Sequence, residues 1–269
     1  MPELPEVETI ARTLAPAVTG RIIIAAKLRD PGVWQGALAP DNLCGRSITG
    51  AGRRGKLLLV HLTDKIDLAF HLKMTGRLLI CPTGALPGAH TRAVFDLDDG
   101  SSLFFDDTRK FGYARAINET EAANWPFWQK LGPEPLALGE EEFVRLFCGR
   151  GGAIKALLLN QTVIAGIGNI YADESLFRAG IRPDAPGRAV SPERLAGLRL
   201  RLHEVLTEAI AACGSSIRDY RTATGDAGSF QKTFRVYGRS GQACLTCGRK
   251  LRTAKISGRT TVYCPHCQK

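Results

Sequence analysis

The chain has 269 residues, of which 44% are hydrophobic and 23% charged. That length suits about two domains, and the composition is that of a globular protein, which excludes a disordered or collagen-like chain. The formal net charge of +10 points to a partner carrying many negative charges. The charge is uneven: from Asp226 to Lys269 there are nine basic residues and one acidic one, Asp226 itself. No stretch approaches the roughly 18 apolar residues of a membrane span. The start, MPELPEVE, is acidic and proline-bearing, unlike a secretory signal. An intracellular, reducing compartment is therefore expected.

In chain order, the first element reads as a helix. Pro5 suits a first helical turn, and Glu6 and Glu8 suit its positive end. Val7, Ile10, Ala11 and Leu14 form one apolar stripe, and Pro16 and Gly20 are expected to close the segment. From Arg21 to about Ile117 the texture is strand and turn. RIIIAAKL, KLLLVHL, IDLAFHL, RLLI, RAVFDL and SLFF are short apolar or alternating runs, separated by turns such as Thr75-Gly76 and Asp99-Gly100. Many short strands predict a sandwich or barrel-like β domain. Leu131-Gly132-Pro133-Glu134-Pro135 reads as an interdomain linker, and helical signals follow it. Ser191 is an N-cap before Pro192, and Leu195, Leu198, Leu202, Val205, Leu206 and Ile210 keep helical spacing. Asp219 to Ser229 is polar and glycine-containing, and reads as a mobile loop.

Cys244-x2-Cys247 and Cys264-x2-Cys267 are separated by sixteen residues. Two such knuckles offer four thiolates, a tetrahedral Zn²⁺ site with no open position and hence a structural one. His266 lies between the last two ligands, but the four-cysteine set is complete without it. Metal binding would fold a segment too short for a core of its own and display the basic residues on a rigid hairpin.

Two further features carry two readings each. In NQTVIAGIGNIYADESLF, Gly166 and Gly168 allow a tight turn before a helix. Backbone N–H groups at such a helix start can cradle a phosphate, with Asn169 as an added donor; the same pattern also serves an ordinary helix–turn–helix packing motif. At the start, removal of Met1 would make Pro2 an N-terminal secondary amine. Its iminium with a sugar aldehyde carbon stays positively charged without a proton, an electron sink for eliminating an adjacent phosphate. Glu3 and Glu6 are close enough in sequence to serve proton transfers. The plainer alternative is an ordinary terminus with glutamates decorating a helix.

Together these segments resemble the bacterial formamidopyrimidine-DNA glycosylases, base-excision repair enzymes for oxidised purines. MPELPEVETI, HLKMTGRL, FDDTRKFG, NQTVIAGIGNIYADESLFRAGI and the pair VYGRSGQACLTCGRKL and GRTTVYCPHCQK all match, in order, over essentially the whole chain. The resemblance implies an α+β fold: an N-terminal helix plus an antiparallel β-sandwich domain, then a helical helix–two-turn–helix domain with a zinc-bound β-hairpin finger. The expected domains are 1–130, 131–225 and 235–269. By resemblance Pro2 attacks C1′ of the damaged nucleotide, Glu3 is the acid–base residue and Glu6 orients that site. Lys56 holds a phosphate and assists catalysis. Met74, Arg109 and Phe111 fill the gap left by the flipped base; on their own residue types Met74 and Phe111 would be assigned to the core. Asn169 and Arg259 clamp phosphates around the lesion, His90 contacts DNA, and Lys155 is linked with handling oxidised guanine. The loop from about Arg218 to Phe230 closes over the base. One structural zinc, damaged double-stranded DNA as partner, a monomer, no membrane and a bacterial cytoplasmic location complete the expectation.

The chain departs from the family pattern at Arg92, which stands where a second histidine is common, at Thr108, where proline is usual, and at Lys110, where a second arginine is common. Two rival readings remain. One is the sister endonuclease VIII type for oxidised pyrimidines, against which the PELPEVE start, Arg109 and Phe111 argue. The other is a non-catalytic zinc protein binding nucleic acid, which would have no need of Pro2, Glu3 and Lys56.

Overall fold

A computed structural model of the chain describes residues 1–217 and 220–269. It folds as two compact units: Met1–Gln129 with Ala212–Ser229, and Lys130–Ala211 with Phe230–Lys269. No helix among the described residues is long and apolar enough to cross a membrane.

The first unit begins with α1 (Leu4–Val18), which buries Val7, Ile10, Ala11, Leu14 and Val18. Pro16 lies inside this helix and does not end it. So near the C-terminus a proline removes one backbone bond, which the last turn tolerates. Eight strands follow: β1 (Ile23–Leu28), β2 (Ile48–Arg54), β3 (Leu57–Leu62), β4 (Ile66–His71), β5 (Gly76–Cys81), β6 (Thr91–Leu97), β7 (Ser102–Asp107) and β8 (Tyr113–Ile117). They form two antiparallel sheets, in the orders β1-β6-β7-β5 and β2-β3-β4-β8.

Alternate residues explain why the sheets face each other. Leu58, Val60 and Leu62 of β3, Leu68 and Phe70 of β4, and Ala93, Phe95 and Leu97 of β6 all enter one core, as a period of two requires. Phe70 meets Phe95 edge-on at 5.7 Å and Phe105 at 5.3 Å, which joins the sheets. Each such buried ring or branched chain stabilises the fold by roughly 1.5–3 kcal/mol. Six of the eight strands coincide with the apolar runs of the sequence. The other two, β2 and β8, carry glycines or arginines and no clean alternation; their neighbours in the sheet place them. The buried Arg115 of β8 is tolerated because it pairs with Glu121 and lies 4.1 Å over the Trp125 ring.

The segment Ala212–Ser229 belongs to the first unit. Tyr220 and Ala223 join the sandwich core. The Ala223 carbonyl accepts from the Ile80 N–H at 3.2 Å, and the Ala223 N–H donates to Thr13 Oγ1 at 3.3 Å. Polar texture concealed these two anchors. The expected lid begins at Arg218, and Arg218 and Asp219 lie outside the described residues.

After β8 come α2 (Glu119–Asn124) and α3 (Pro126–Lys130). The second unit then holds α4 (Glu140–Phe147), α5 (Ile154–Leu159), α6 (Asn169–Arg178), α7 (Pro192–Ala211) and a hairpin of β9 (Arg252–Ile256) and β10 (Arg259–Tyr263). Ser191 Oγ accepts the Arg194 N–H at 3.4 Å, Pro192 opens α7, and the six periodic apolar residues are buried. The Leu131–Pro135 stretch is packed along the 161–165 turn: the Gly132 N–H donates to Gln161 O at 2.8 Å, and the Ala165 N–H to Pro133 O at 3.0 Å. A Cβ on Gly132 would come within 2.7 Å of that backbone, so only glycine fits.

Candidate nucleic-acid interface and metal centre

At the N-terminus Pro2 is buried and Glu3 is 3% exposed, behind an exposed Met1. Glu6 organises this turn. Its Oε2 accepts the Glu3 N–H at 2.9 Å, and its Oε1 accepts the Ser215 N–H at 2.8 Å. Gly214, with φ +76°, lies against the same carboxylate, where a Cβ would sit 2.9 Å from Oε1. The first helical turn and the 214–215 strap thus share one buried acid. Two residues connect β2 and β3, Gly55 with φ +57° and Lys56. Lys56 is only 7% exposed, so the turn presents a partly desolvated cation where a surface lysine would be the simpler expectation.

His71, at the end of β4 and in the segment HLKMTGRL, has no role that its sequence context suggests. It is buried, and its Nδ1 accepts the Lys73 N–H at 3.1 Å. Burial first, then the Lys73 and Lys56 cations, push its pKa down to about 3 from an ordinary 6.5. It is therefore a neutral ring beside Lys56, and the one local signal for it is a histidine at a strand end two residues before Lys73. Because the folded pKa is depressed, the unfolded chain binds more protons between pH 3 and 6.5. The stabilisation is complete above pH 6.5 and is lost as pH falls toward 3. His71→Gln should reduce the drop in unfolding free energy between pH 7 and 4.5 by roughly 2 kcal/mol. Urea titrations at both pH values measure this; equal acid sensitivity in both proteins would refute it.

The turns after β4 and β7 carry a second cluster. Arg109 Nη1 donates to Met74 Sδ at 3.1 Å, and its guanidinium lies 4.6 Å over the Phe111 ring. Met74 is 42% and Phe111 53% exposed. Neither is a core residue, contrary to what their residue types suggest: two large apolar groups stand in water with a cation between them. His90 is exposed nearby in sequence to β6, and its carbonyl accepts the Asp107 N–H at 2.9 Å. Arg92 donates from Nε to Asp107 O at 2.8 Å. Lys110 has φ +57° and pairs with Asp30 at 3.0 Å, which holds the Asp30 carboxyl below its usual range. Nothing in the structure explains Thr108.

In the second unit Asn169 opens α6 after Gly166, whose φ of +83° makes the tight turn. Asn169 Nδ2 donates to Thr260 O at 3.0 Å, which brings it beside the exposed Arg259. Ser257 and Gly258 have φ of +48° and +73°. They make the mirror-image two-residue turn that suits a twisted hairpin, and put Arg259 at its tip. Lys155 is fully buried: its Nζ lies 2.7 Å from Asp173 Oδ1 and donates to Thr261 Oγ1 at 2.7 Å. Asp173 Oδ2 accepts the Val262 N–H at 3.2 Å. Burial pushes the Asp173 carboxyl up toward about 6, against the pull of Lys155. Glu174 accepts the backbone N–H groups of Arg235, Val236 and Tyr237 at 2.8–3.1 Å. Consecutive acids on α6 thus hold the segment that enters the finger and the second strand of its hairpin.

The Sγ atoms of Cys244, Cys247, Cys264 and Cys267 all lie within 4.8 Å of one another. Cys244 and Cys267 are 3.9 Å apart, Cys247 and Cys264 3.5 Å. A tetrahedral Zn²⁺ with Zn–S near 2.3 Å needs sulfurs about 3.8 Å apart, so the four fit one zinc and fill its coordination. Phe177, Val236, Leu251 and Val262 surround the thiols as a small apolar core.

Fold and site define a two-unit protein of the helix–two-turn–helix, zinc-finger class. A family model for the formamidopyrimidine-DNA glycosylase N-terminal domain matches residues 1–114, one for the H2TH domain of the same enzymes matches 131–221, and one for the zinc finger found in FPG and IleRS matches 241–269. The chain is 44% identical to the formamidopyrimidine-DNA glycosylase of Nitratidesulfovibrio vulgaris, over 100% of both chains. It is similar to the Lactococcus lactis Fpg in a complex with abasic-site DNA, at a TM-score of 0.91 and 33% identity over 99% of each chain. It is equally similar to the wild-type L. lactis Fpg (MutM) in a complex with DNA containing N7-benzyl-Fapy-dG, at a TM-score of 0.91 and 33% identity over 100% of each. The chain belongs to the formamidopyrimidine-DNA glycosylase family.

Proposed function

We propose that the chain is a bifunctional DNA glycosylase and AP lyase of base-excision repair. It removes oxidised purines such as 8-oxoguanine and formamidopyrimidines from duplex DNA and then nicks the strand. The observation that carries the substrate reading is the exposed Met74–Arg109–Phe111 cluster. Flipping a base leaves an unstacked gap and an orphaned partner. An apolar wedge, a ring to stack and a guanidinium to hydrogen-bond the orphan meet those three needs.

The chemistry rests on Pro2. With Met1 removed it offers a secondary amine of pKa about 8, so part of it is neutral at pH 7. Its lone pair attacks C1′, the glycosidic bond breaks, and the base leaves with the bonding electrons. Glu3 moves protons at the sugar as the ring opens. The product iminium carries a fixed positive charge, which acidifies the C2′ proton. Loss of that proton expels the 3′ phosphate by β-elimination; the conjugated iminium left behind acidifies the C4′ proton, and loss of that second proton expels the 5′ phosphate by δ-elimination. Glu6 orients the turn through the Glu3 N–H. Lys56 holds a phosphate, as do Asn169 and Arg259, and His90 contacts DNA. Lys155, buried beneath β10, supports the hairpin that carries Arg259.

In this reading residues 1–130 form the catalytic domain, 131–225 the helical DNA-binding domain, whose last part from Ala212 packs with the first unit, and 235–269 the finger. Phosphate contacts position, and pocket contacts specify. Zinc is structural, and the protein acts as a monomer in the bacterial cytoplasm. Borohydride trapping across a panel of duplexes tests the assignment. Covalent complex should form with 8-oxoguanine and formamidopyrimidine opposite cytosine, at yields well above those with oxidised pyrimidines. A reversed ranking would make it an endonuclease VIII type, and no trapping with any lesion would make it a binder.

A further inference from the structure

The wedge residues sit on separate turns, 35 positions apart between Met74 and Arg109, and one buried carboxylate joins those turns. Asp107 is 0% exposed. Its Oδ1 accepts the Arg109 N–H at 3.1 Å and also the Thr75 hydroxyl, while its Oδ2 accepts the Gly112 N–H at 2.7 Å. Its own N–H donates to His90 O, and its carbonyl accepts Arg92 Nε–H. A single residue therefore ties together the neighbours of Met74, Arg109 and Phe111, and His90 as well. A Cβ on Gly112 would lie 3.1 Å from Oδ2 and 2.9 Å from the Phe105 ring, so the close approach is built in.

The backbone gives an independent sign that these turns are held against their preference. Lys73, just before Met74, has φ +49°, and Lys110, just before Phe111, has φ +57°. Left-handed non-glycine residues persist where the surroundings over-determine them. A buried charge is also costly unless hydrogen bonds compensate it, and here the compensating donors come from the two wedge turns themselves.

We propose that Asp107 is the positioning residue of the gap-filling wedge. It fixes the mutual placement of Met74, Arg109 and Phe111 before DNA arrives, and so sets how strongly the protein prefers a duplex with a missing base over an intact one. The inference rests on the gap-filling reading of those three side chains. Asp107→Asn keeps the shape of the side chain but turns one acceptor into a donor, so one of the three side-chain bonds becomes a clash of donors. Thr75→Val removes one donor and leaves the acid in place.

The probe is a duplex carrying a tetrahydrofuran abasic analogue opposite 2-aminopurine, compared with the intact duplex. Affinity and 2-aminopurine fluorescence report entry of the wedge, with no chemistry required. The expected result for Asp107→Asn is about a tenfold loss of the gapped-over-intact preference, with affinity for intact duplex unchanged. Thr75→Val should shift the same ratio by about threefold. An unchanged ratio in both variants overturns the proposal, as does an equal loss on both duplexes, which marks a merely structural role. A wild-type protein that prefers the gap yet excises no oxidised base would sink the catalytic reading while supporting this one.

Discussion

Pro2→Gly, in protein processed to free residue 2, should lower borohydride-trapped complex on an 8-oxoguanine:cytosine duplex by at least about 100-fold. The expected loss has two causes. A glycine imine needs a proton to carry the charge that the proline iminium holds permanently. Glycine also loses the ring that restrains the attacking nitrogen, and misplacement of about 1 Å at a reacting centre can cost 10²-fold. Because the proposed phosphate contacts lie on other segments, affinity for an uncleavable abasic duplex should change less than about threefold. Gel separation of trapped complex, with mass spectrometry of its N-terminal peptide, reads both yield and the absence of Met1. Unchanged trapping would remove Pro2 from the nucleophile's role, and trapping by protein that retains Met1 would do the same.

Loss of zinc should have the second largest effect. Cys247→Ser, or chelation of the intact protein, is expected to abolish the one bound zinc and unfold residues 241–269. The finger's core is a handful of side chains, far too little to offset the entropy of ordering the hairpin. A structural zinc of this kind contributes about 10–16 kcal/mol of apparent binding free energy. Arg259 would lose its hairpin tip, and duplex affinity should fall about tenfold or more, with a shallower salt dependence. Zinc content, limited proteolysis and DNA titrations at several salt concentrations measure the three consequences. A zinc-free protein with full affinity would show that the finger is dispensable for binding.

The parts legible in the sequence were those whose physics is local. Two Cys-x2-Cys knuckles set their own geometry over a few bonds, so the metal site and its ligands could be named before any fold was known. The α7 stripe and its Ser191–Pro192 start follow from helical period and capping, which act within one turn. Six strands declared themselves by apolar runs. β2 and β8 did not: they are the two edge strands of their sheet, where pairing with one neighbour places residues such as Gly50 and Arg115 that have no strand preference of their own.

Other features arise from contacts between segments far apart in the chain. Met74 and Phe111 look like core residues by type, and only packing shows them standing in water against Arg109. Lys155 has the residue type of a DNA contact, but it is buried beside Asp173 and Thr261. Glu6 meets Ser215 across 209 residues, and the polar segment around Ala223 returns to the first unit through bonds to Thr13 and Ile80. The order of residues supplies the chemical groups: an N-terminal proline beside two glutamates, four thiolates, and a basic surplus beyond Asp226. Folding decided which of them are exposed, which are held, and by what. Burial and long-range hydrogen bonds depend on chain segments far apart in order, and no local pattern records them.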